Sequence, residues 1–529
     1  MKNRLGKSAL AASLLAGVLL ACPAAEAATR GGKMIYARYA DSLFLDPVLN
    51  DANVDIWVLT NLYDTLLAPT SDGQGVTPAL ATKWDFSSDG KVLTLAIRGG
   101  VKFSDGSAMT VGDVKWSLDR ARDPKAGAWN SSLASIDSID VKGDAIVLNL
   151  KHADPTLLAA LATFNAAILP QRLFEATPGA NPEEKAKAFA EHPVGTGPFA
   201  FVSWKRGEVM KLKRNEHYWK MGEDGKALPY LDELEFPVIP DDATRLLKLK
   251  AGEIDGTEFI PYARVKELQG DANLRMELWP STRVRYLTLF VGEKYKNDAP
   301  NPMANAKVRQ ALNYAINKPA VIQITTLNLG KPMTSFMSTA TPMYSGSAPL
   351  YPYDIAKAKA LLAEGGYPSG FEFACLALSG NGDDQSDLTA AQQMWSQIGV
   401  KLKIEQVDNA TRTAKYRAED FQCRTSAWTD DIADASQITS YFAYYPNIHS
   451  LHSGFQDKKI DALFLKSQEE NDVKARAAQY KEIQDLYNSA APIVYLYETP
   501  YPVAFRKNAK GFVQIPLGNN LFEKAYVER

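Results

Sequence analysis

The segment SAWTDDIADAS, residues 426–436, sets three carboxylates, Asp430, Asp431 and Asp434, directly behind Trp428. Acids so spaced have four uses. A metal loop needs partners of the DxDxDG kind, which do not occur here. A hydrolase could use Asp430 or Asp431 as general acid or base, but a glycosidase pair must flank one bond from opposite sides, and sequence neighbours rarely do. A clamp for a cationic solute needs one carboxylate, with Trp428 as an aromatic wall for packing or cation–π contact. Acidic residues also cap helices, which accounts for at least one of the three. Asp431 is the first choice for a ligand contact and Asp434 the second.

Other chemistry-bearing patterns are weaker. His449 and His452 in NIHSLHSG are three apart, a spacing that can offer two imidazoles to one metal, but they stand in a polar, turn-rich stretch without a cysteine. Serine nucleophile elbow, Gly-Lys phosphate loop and HExxH are missing. VGTGPF (194–199) looks like a phosphate loop, yet it lacks the lysine and the following helix and reads as a tight turn.

The elements that must position the acids follow from periodicity. FQCRTSAW reads as a strand, and in open parallel sheets ligands bind beyond the carboxyl ends of strands. Before about Pro280 the chain is β-rich. KVLTLAI alternates, Thr110 caps an amphipathic helix over VGDVKWSLDRA, and two alternating runs meet at Gly207 as a hairpin. Beyond Pro280, helical spacing over 306–324 and in DIAKAKALLAEGG is followed by strands alternating with helices, which predicts βαβ units and a parallel sheet. The last segment, APIVYLYETPYPVAFRKNAKGFV, is again strand-like.

Composition bounds the rest. At 529 residues the chain exceeds one hydrophobic core, and 46% hydrophobic with 23% charged residues is ordinary globular usage. A net charge of −2 without a basic run argues against nucleic acid as a partner. Residues 1–27 read as a cleaved signal peptide: MKNRLGK, an apolar stretch, then small residues at Ala25 and Ala27. Lipidation at Cys22 is the less favoured alternative, because Leu20 and Pro23 fit poorly around it. Cys375 and Cys423 lie in apolar strand-like runs and read as two small buried thiols rather than a bridge.

Four segments, TPALATKWDFSSDGKVLTLAIRGGVKFSDGSAMTVGDVKWSLDR (77–120), VGTGPFAFVSWKRGEVMKLKRNEHYW (194–219), NAKVRQALNYAINKPAVI (305–322) and YDIAKAKALLAEGGYP (353–368), occur in an order and spacing found elsewhere. Together they resemble the periplasmic solute-binding proteins of family 5, the peptide/nickel/opine class that feeds ATP-binding cassette importers. The resemblance implies an α/β, two-lobed periplasmic-binding-protein fold (type II, cluster C). Lobe I would cover 28–280 with a subdomain inserted over about 50–190, lobe II 281–495, and 496–529 would return to lobe I. It further implies a monomeric periplasmic receptor, without catalysis, metal or cofactor, that closes on a small peptide-like solute and hands it to an inner-membrane permease. Nickel, opine or oligosaccharide binding is the alternative within the class. By position, Asp431 would hold the solute's ammonium group, beside Trp428, with backbone groups of Ala427 and Thr429 pairing along the ligand. Asn53, in LNDANVD, is the choice on the facing lobe, and Trp129 a candidate for lining the cleft. One departure stands out: dipeptide binders carry an arginine after the first lobe II strand, whereas no Lys or Arg occurs between Gly370 and Val400.

Overall fold

Two sheets carry the molecule. In the first, seven strands lie in the order Leu274–Trp279, Tyr501–Arg506, Gly256–Thr257, Lys33–Ala37, Glu233–Pro237, Val209–Arg214 and Phe199–Lys205. The last two form the antiparallel hairpin expected at Gly207, whose φ of 71° suits a residue without Cβ. A four-stranded antiparallel sheet over 81–150 is attached to it. Alternating Leu93, Leu95, Ile146 and Leu148 pack there against Val114 and Leu118 of the helix Val111–Ala121. That helix opens with a capping box between Thr110 and Asp113. VGTGPF is a close-packed turn: a Cβ on Gly195 would lie 2.2 Å from the Leu62 carbonyl oxygen.

The computed structural model describes residues 28–50, 53–127, 129–346 and 349–528. The expected signal peptide and Cys22 lie outside the described residues. Among those described, no helix is long and apolar enough to cross a membrane.

The second sheet has six strands in the order Lys331–Pro332, Ile493–Glu498, Val284–Leu289, Cys423–Trp428, Glu372–Leu378 and Lys401–Val407. The three strands expected to alternate with helices run parallel, as predicted, but the sheet as a whole is mixed. Glu372–Leu378 runs parallel to both its neighbours, but Val284–Leu289 is antiparallel to both of its own. The reason is topological: Val284–Leu289 arrives from the first sheet, and Ile493–Glu498 leaves for it. The chain thus passes between sheets from Trp279 to Val284 and returns from Glu498 to Tyr501.

Two further expectations are corrected. The helical pattern over 306–324 is two helices, Ala306–Tyr314 and Lys318–Thr326; Asn317 caps the second, and Pro319 in its first turn brings no N–H to continue the first. Cys375 and Cys423 are not free thiols. They sit opposite each other on adjacent parallel strands, Cα atoms 4.3 Å apart, and form a disulfide. Strand adjacency, which spacing in sequence does not encode, decides this.

Candidate functional site

The strand Cys423–Trp428 holds the site because one of its edges is only half used. Toward Val284–Leu289 it is laddered along its whole length, from Leu289 with Cys423 to Val284 with Trp428. Toward Glu372–Leu378 only Cys423 and Arg424 pair. Alternate residues of a strand turn their backbone groups to opposite sides. The Gln422 carbonyl accepts from Phe290 N–H, and the Asp430 N–H donates to Thr282 Oγ1 at 2.8 Å, both on the laddered side. The same alternation turns Ala427 and Thr429 toward the unladdered side. Ala427 is exposed and Thr429 half-buried.

The three acids that follow have separate fates. Asp430 is fully buried. Trp428 Nε1 donates to its Oδ1 at 2.7 Å and Thr341 Oγ1 to its Oδ2 at 2.6 Å. Burial pushes its carboxyl up to about 7; Asp431 and Asp434 add to this, and the two hydrogen bonds oppose it. Asp431 is half-buried and is framed by one side chain, Gln437. Gln437 Oε1 accepts from the Asp431 and Ile432 N–H groups at 2.8 and 3.2 Å, and its Nε2 donates to Asp431 Oδ2 at 3.1 Å. No described residue donates to Asp431 Oδ1. Burial raises this carboxyl to about 6, against the Gln437 hydrogen bond.

Asp434, expected at the ligand, has another partner. Both of its oxygens are taken by Arg476, at 2.6 and 2.8 Å, and Oδ1 also accepts from Ser436 N–H at 2.8 Å, in a buried pair. It ties the turn after the site strand to the helix Val473–Ala490.

A cavity of about 700 Å³ is walled by both lobes; Asp431 does not line it, but its neighbours Ile432 and Gln437 do. Ile432, Gln437 and Tyr441 face Trp129, Ser131 and His152 across it. Trp428 does not line it but backs it, its ring 4.9 Å from that of Tyr441. Trp129 leans edge-on against Phe164, centroids 5.4 Å apart. Asn53 opens the helix Asn53–Leu62; its side chain lies outside those described. His449 does not gather a metal set: its Nδ1 hydrogen-bonds Glu419, and no cluster of three metal-ligating side chains occurs among the described residues.

The stretch lacking Lys and Arg is also accounted for. Asp384 and Asp387, at the start of the helix Gly382–Ser396, both hold Arg285 of the neighbouring strand, Asp387 at 2.7 Å. Thr425 Oγ1 and Leu378 N–H also donate to Asp384, at 2.6 and 2.8 Å. This acidic turn serves the sheet.

A two-lobed molecule with a cavity between its lobes, and a half-laddered strand leading to the turn that walls it, is built to enclose a solute. The family model for bacterial extracellular solute-binding proteins, family 5 (Middle), matches residues 75–450. The chain belongs to this family. Among family 5 relatives, the glutathione-binding protein GsiB of Salmonella typhimurium is 30% identical over 518 residues, 96% of this chain and 96% of its own. The ABC transporter-associated periplasmic binding protein DppA from Helicobacter pylori, solved with the peptide STSA, is 28% identical with a TM-score of 0.78, over 95% of this chain and 99% of that one. AgaA from A. tumefaciens R10, solved with agropinic acid, is 27% identical with a TM-score of 0.76, over 94% and 99%. Members of family 5 are extracytoplasmic binding proteins, and the two-lobed fold described above is theirs.

Sequence reasoning did not single out Gln437, Tyr441, Ser131 or His152. Gln437 follows Asp431 by six residues in no known motif, and the lobe I wall lies some 280 residues away in the chain. Only the fold brings these walls together.

Proposed function

We propose that this family 5 protein is the periplasmic capture component of an ATP-binding cassette importer for a peptide-like solute with a free ammonium group. It acts as a monomer, without catalysis, after export directed by residues 1–27; it closes its lobes over the solute and presents it to an inner-membrane permease. The observation that carries this reading is the end of the site strand. An unladdered edge at Ala427 and Thr429 leads directly to Asp431, whose Oδ1 has no donor among the described residues and whose neighbours Ile432 and Gln437 line the interlobe cavity. The edge offers main-chain pairing and the carboxylate a partner for a cation, which together match an extended peptide's N-terminus. The ligands named for two of the relatives, glutathione and the peptide STSA, are consistent with it.

A hydrolase reading finds less support. Asp430 is buried with both oxygens engaged, so it offers no group to a substrate.

The test starts with native mass spectrometry of the purified mature protein, to identify what co-purifies in the cleft. Isothermal titration then compares wild type with Asp431→Asn. Loss of a charge-assisted contact predicts about 10- to 100-fold weaker binding of ammonium-bearing peptides, with an undiminished melting temperature. Equal affinity in the variant would refute the clamp, and turnover of a bound peptide would refute the receptor.

A further inference from the structure

The bare edge of the site strand begins where a ladder stops early. Glu372–Leu378 keeps its pairing with Lys401–Val407 to its last residue, Leu378 opposite Val407. The site strand likewise keeps its pairing with Val284–Leu289 as far as Trp428. Yet these two strands pair with each other only at Cys375 with Cys423 and at Leu376 with Arg424, where the disulfide ties them. Neither strand has run out, and the tie holds them side by side. In a parallel ladder the bonds to one neighbour recur at every second residue. The next pair would join the Leu378 N–H to the Thr425 carbonyl and the Ala427 N–H to the Leu378 carbonyl.

The turn after Leu378 takes both groups that Leu378 would bring to that pair. Its carbonyl accepts from the Asn381 N–H at 3.1 Å. Its N–H donates to Asp384 Oδ2 at 2.8 Å. The same oxygen accepts from Thr425 Oγ1 at 2.6 Å, so one carboxylate bonds to both strands where their ladder ends. Asp384 is buried, and it is held by Arg285 of the strand Val284–Leu289 and, at 3.2 Å, by Arg412 of the helix Asn409–Arg417. Burial works against its charge, but Arg285, Thr425 Oγ1 and the Leu378 N–H outweigh it and hold the carboxyl below the usual carboxylate range. Asp387, three residues on, does not share this task; its hydrogen bonds go to Arg285 and Tyr497.

We infer that Asp384 is a positioning residue for the capture site: its carboxylate stands in place of the next ladder pair, parts the two strands and leaves the Ala427 N–H to a solute's main chain. This rests on the main-chain pairing proposed above. Without an acceptor at 384, the Leu378 N–H would be buried and unpaired, which is costly until another acceptor replaces it. The Thr425 carbonyl is next in line. A carbonyl has two lone pairs, so that of Leu378 can accept from Ala427 as well as from Asn381. The edge would then close on itself.

The experiment is amide hydrogen exchange by NMR, with alanine- and leucine-selective labelling, on the ligand-stripped mature protein and its Asp384→Ala variant. In wild type the Ala427 amide should exchange as an unpaired group and the Leu378 amide as a protected one. In Asp384→Ala the Ala427 amide should exchange about 2- to 10-fold more slowly without any solute, the effect of one added hydrogen bond. Isothermal titration should show Ala-Ala-Ala binding that variant about tenfold more weakly than wild type. A residue that merely supported the sheet would leave the opposite mark, since its loss would speed exchange at Ala427. Melting curves establish that the variant is folded; should it not fold, Asp384→Ser, too short to reach both strands, carries the same comparison. Unchanged or faster exchange at Ala427 in a folded variant would overturn the role of Asp384, while the peptide reading would stand on the wild-type titration. Failure of Ala-Ala-Ala to bind wild type would overturn the peptide reading and, with it, the role given to Asp384 in capture.

Discussion

At the scale of residues, two adjacent aspartates have been given opposite tasks by their surroundings. Asp430 is sealed behind Trp428 and Thr341, while Asp431 keeps one oxygen without a donor. Residue types at 428–431 were enough to single out this stretch as the candidate, because a carboxylate after an apolar strand needs a reason to be there. They were not enough to say which acid keeps an oxygen without a donor; that depends on Gln437, Thr341 and Thr282, which arrive from elsewhere. The raised carboxyls carry a pH signature. A cation needs Asp431 ionised, and its carboxyl is pushed up to about 6, so affinity for an ammonium-bearing solute should hold above that pH and fall by about tenfold per unit below it. Titrations between pH 7.5 and 4.5 would reveal the break, and a flat profile would contradict it. Stability responds in the opposite sense. Between the ordinary carboxylate range and about 7, the folded protein keeps protons on Asp430 and Asp431 that the unfolded chain has shed, so these two groups favour folding less as pH rises through that window.

At the scale of elements, the turn after the site strand is held from outside itself. Arg476 takes both oxygens of Asp434, and Gln437 spans the backbone of Asp431 and Ile432. Removing one member of a buried ion pair strands the other, so Arg476→Met should destabilise the protein by about 3–5 kcal/mol and weaken solute binding through the turn. Chemical denaturation measures the first and titration the second; a loss under about 1 kcal/mol would mean that the pair contributes little to stability. Local patterns found most of the elements: the Gly207 hairpin, the helix capped by Thr110, and the helix opened by Asp354 and closed at Gly365. What failed was anything that depends on which strands are neighbours. The disulfide and the antiparallel neighbours of Val284–Leu289 follow from strand adjacency, and the engagement of Asp434 from a helix packed beside its turn; hydrophobic period records the face a residue takes, not its partner.

At the scale of the whole molecule, the site strand belongs to one lobe and half of the cavity wall to the other, joined by passages at 279–284 and 498–501. Both passages border the site: Thr282 Oγ1 accepts from the Asp430 N–H, and Tyr501, where the second passage ends, lies near Thr429 and Asp431. Solute gripped there acts at the hinge, so binding should shift the lobes toward closure. Small-angle scattering should give a smaller radius of gyration with the co-purified solute than without it; no change would argue that the lobes do not move. The unladdered edge has one more effect. A bare strand edge ordinarily invites a strand of any passing protein, and unprotected edges lead to aggregation. Here only residues 425–429 of that edge are bare, between the paired Cys423 and Arg424 and the turn at Asp431. So short an edge offers a few main-chain hydrogen bonds and no long template, which suits a brief extended chain better than the strand of a folded protein.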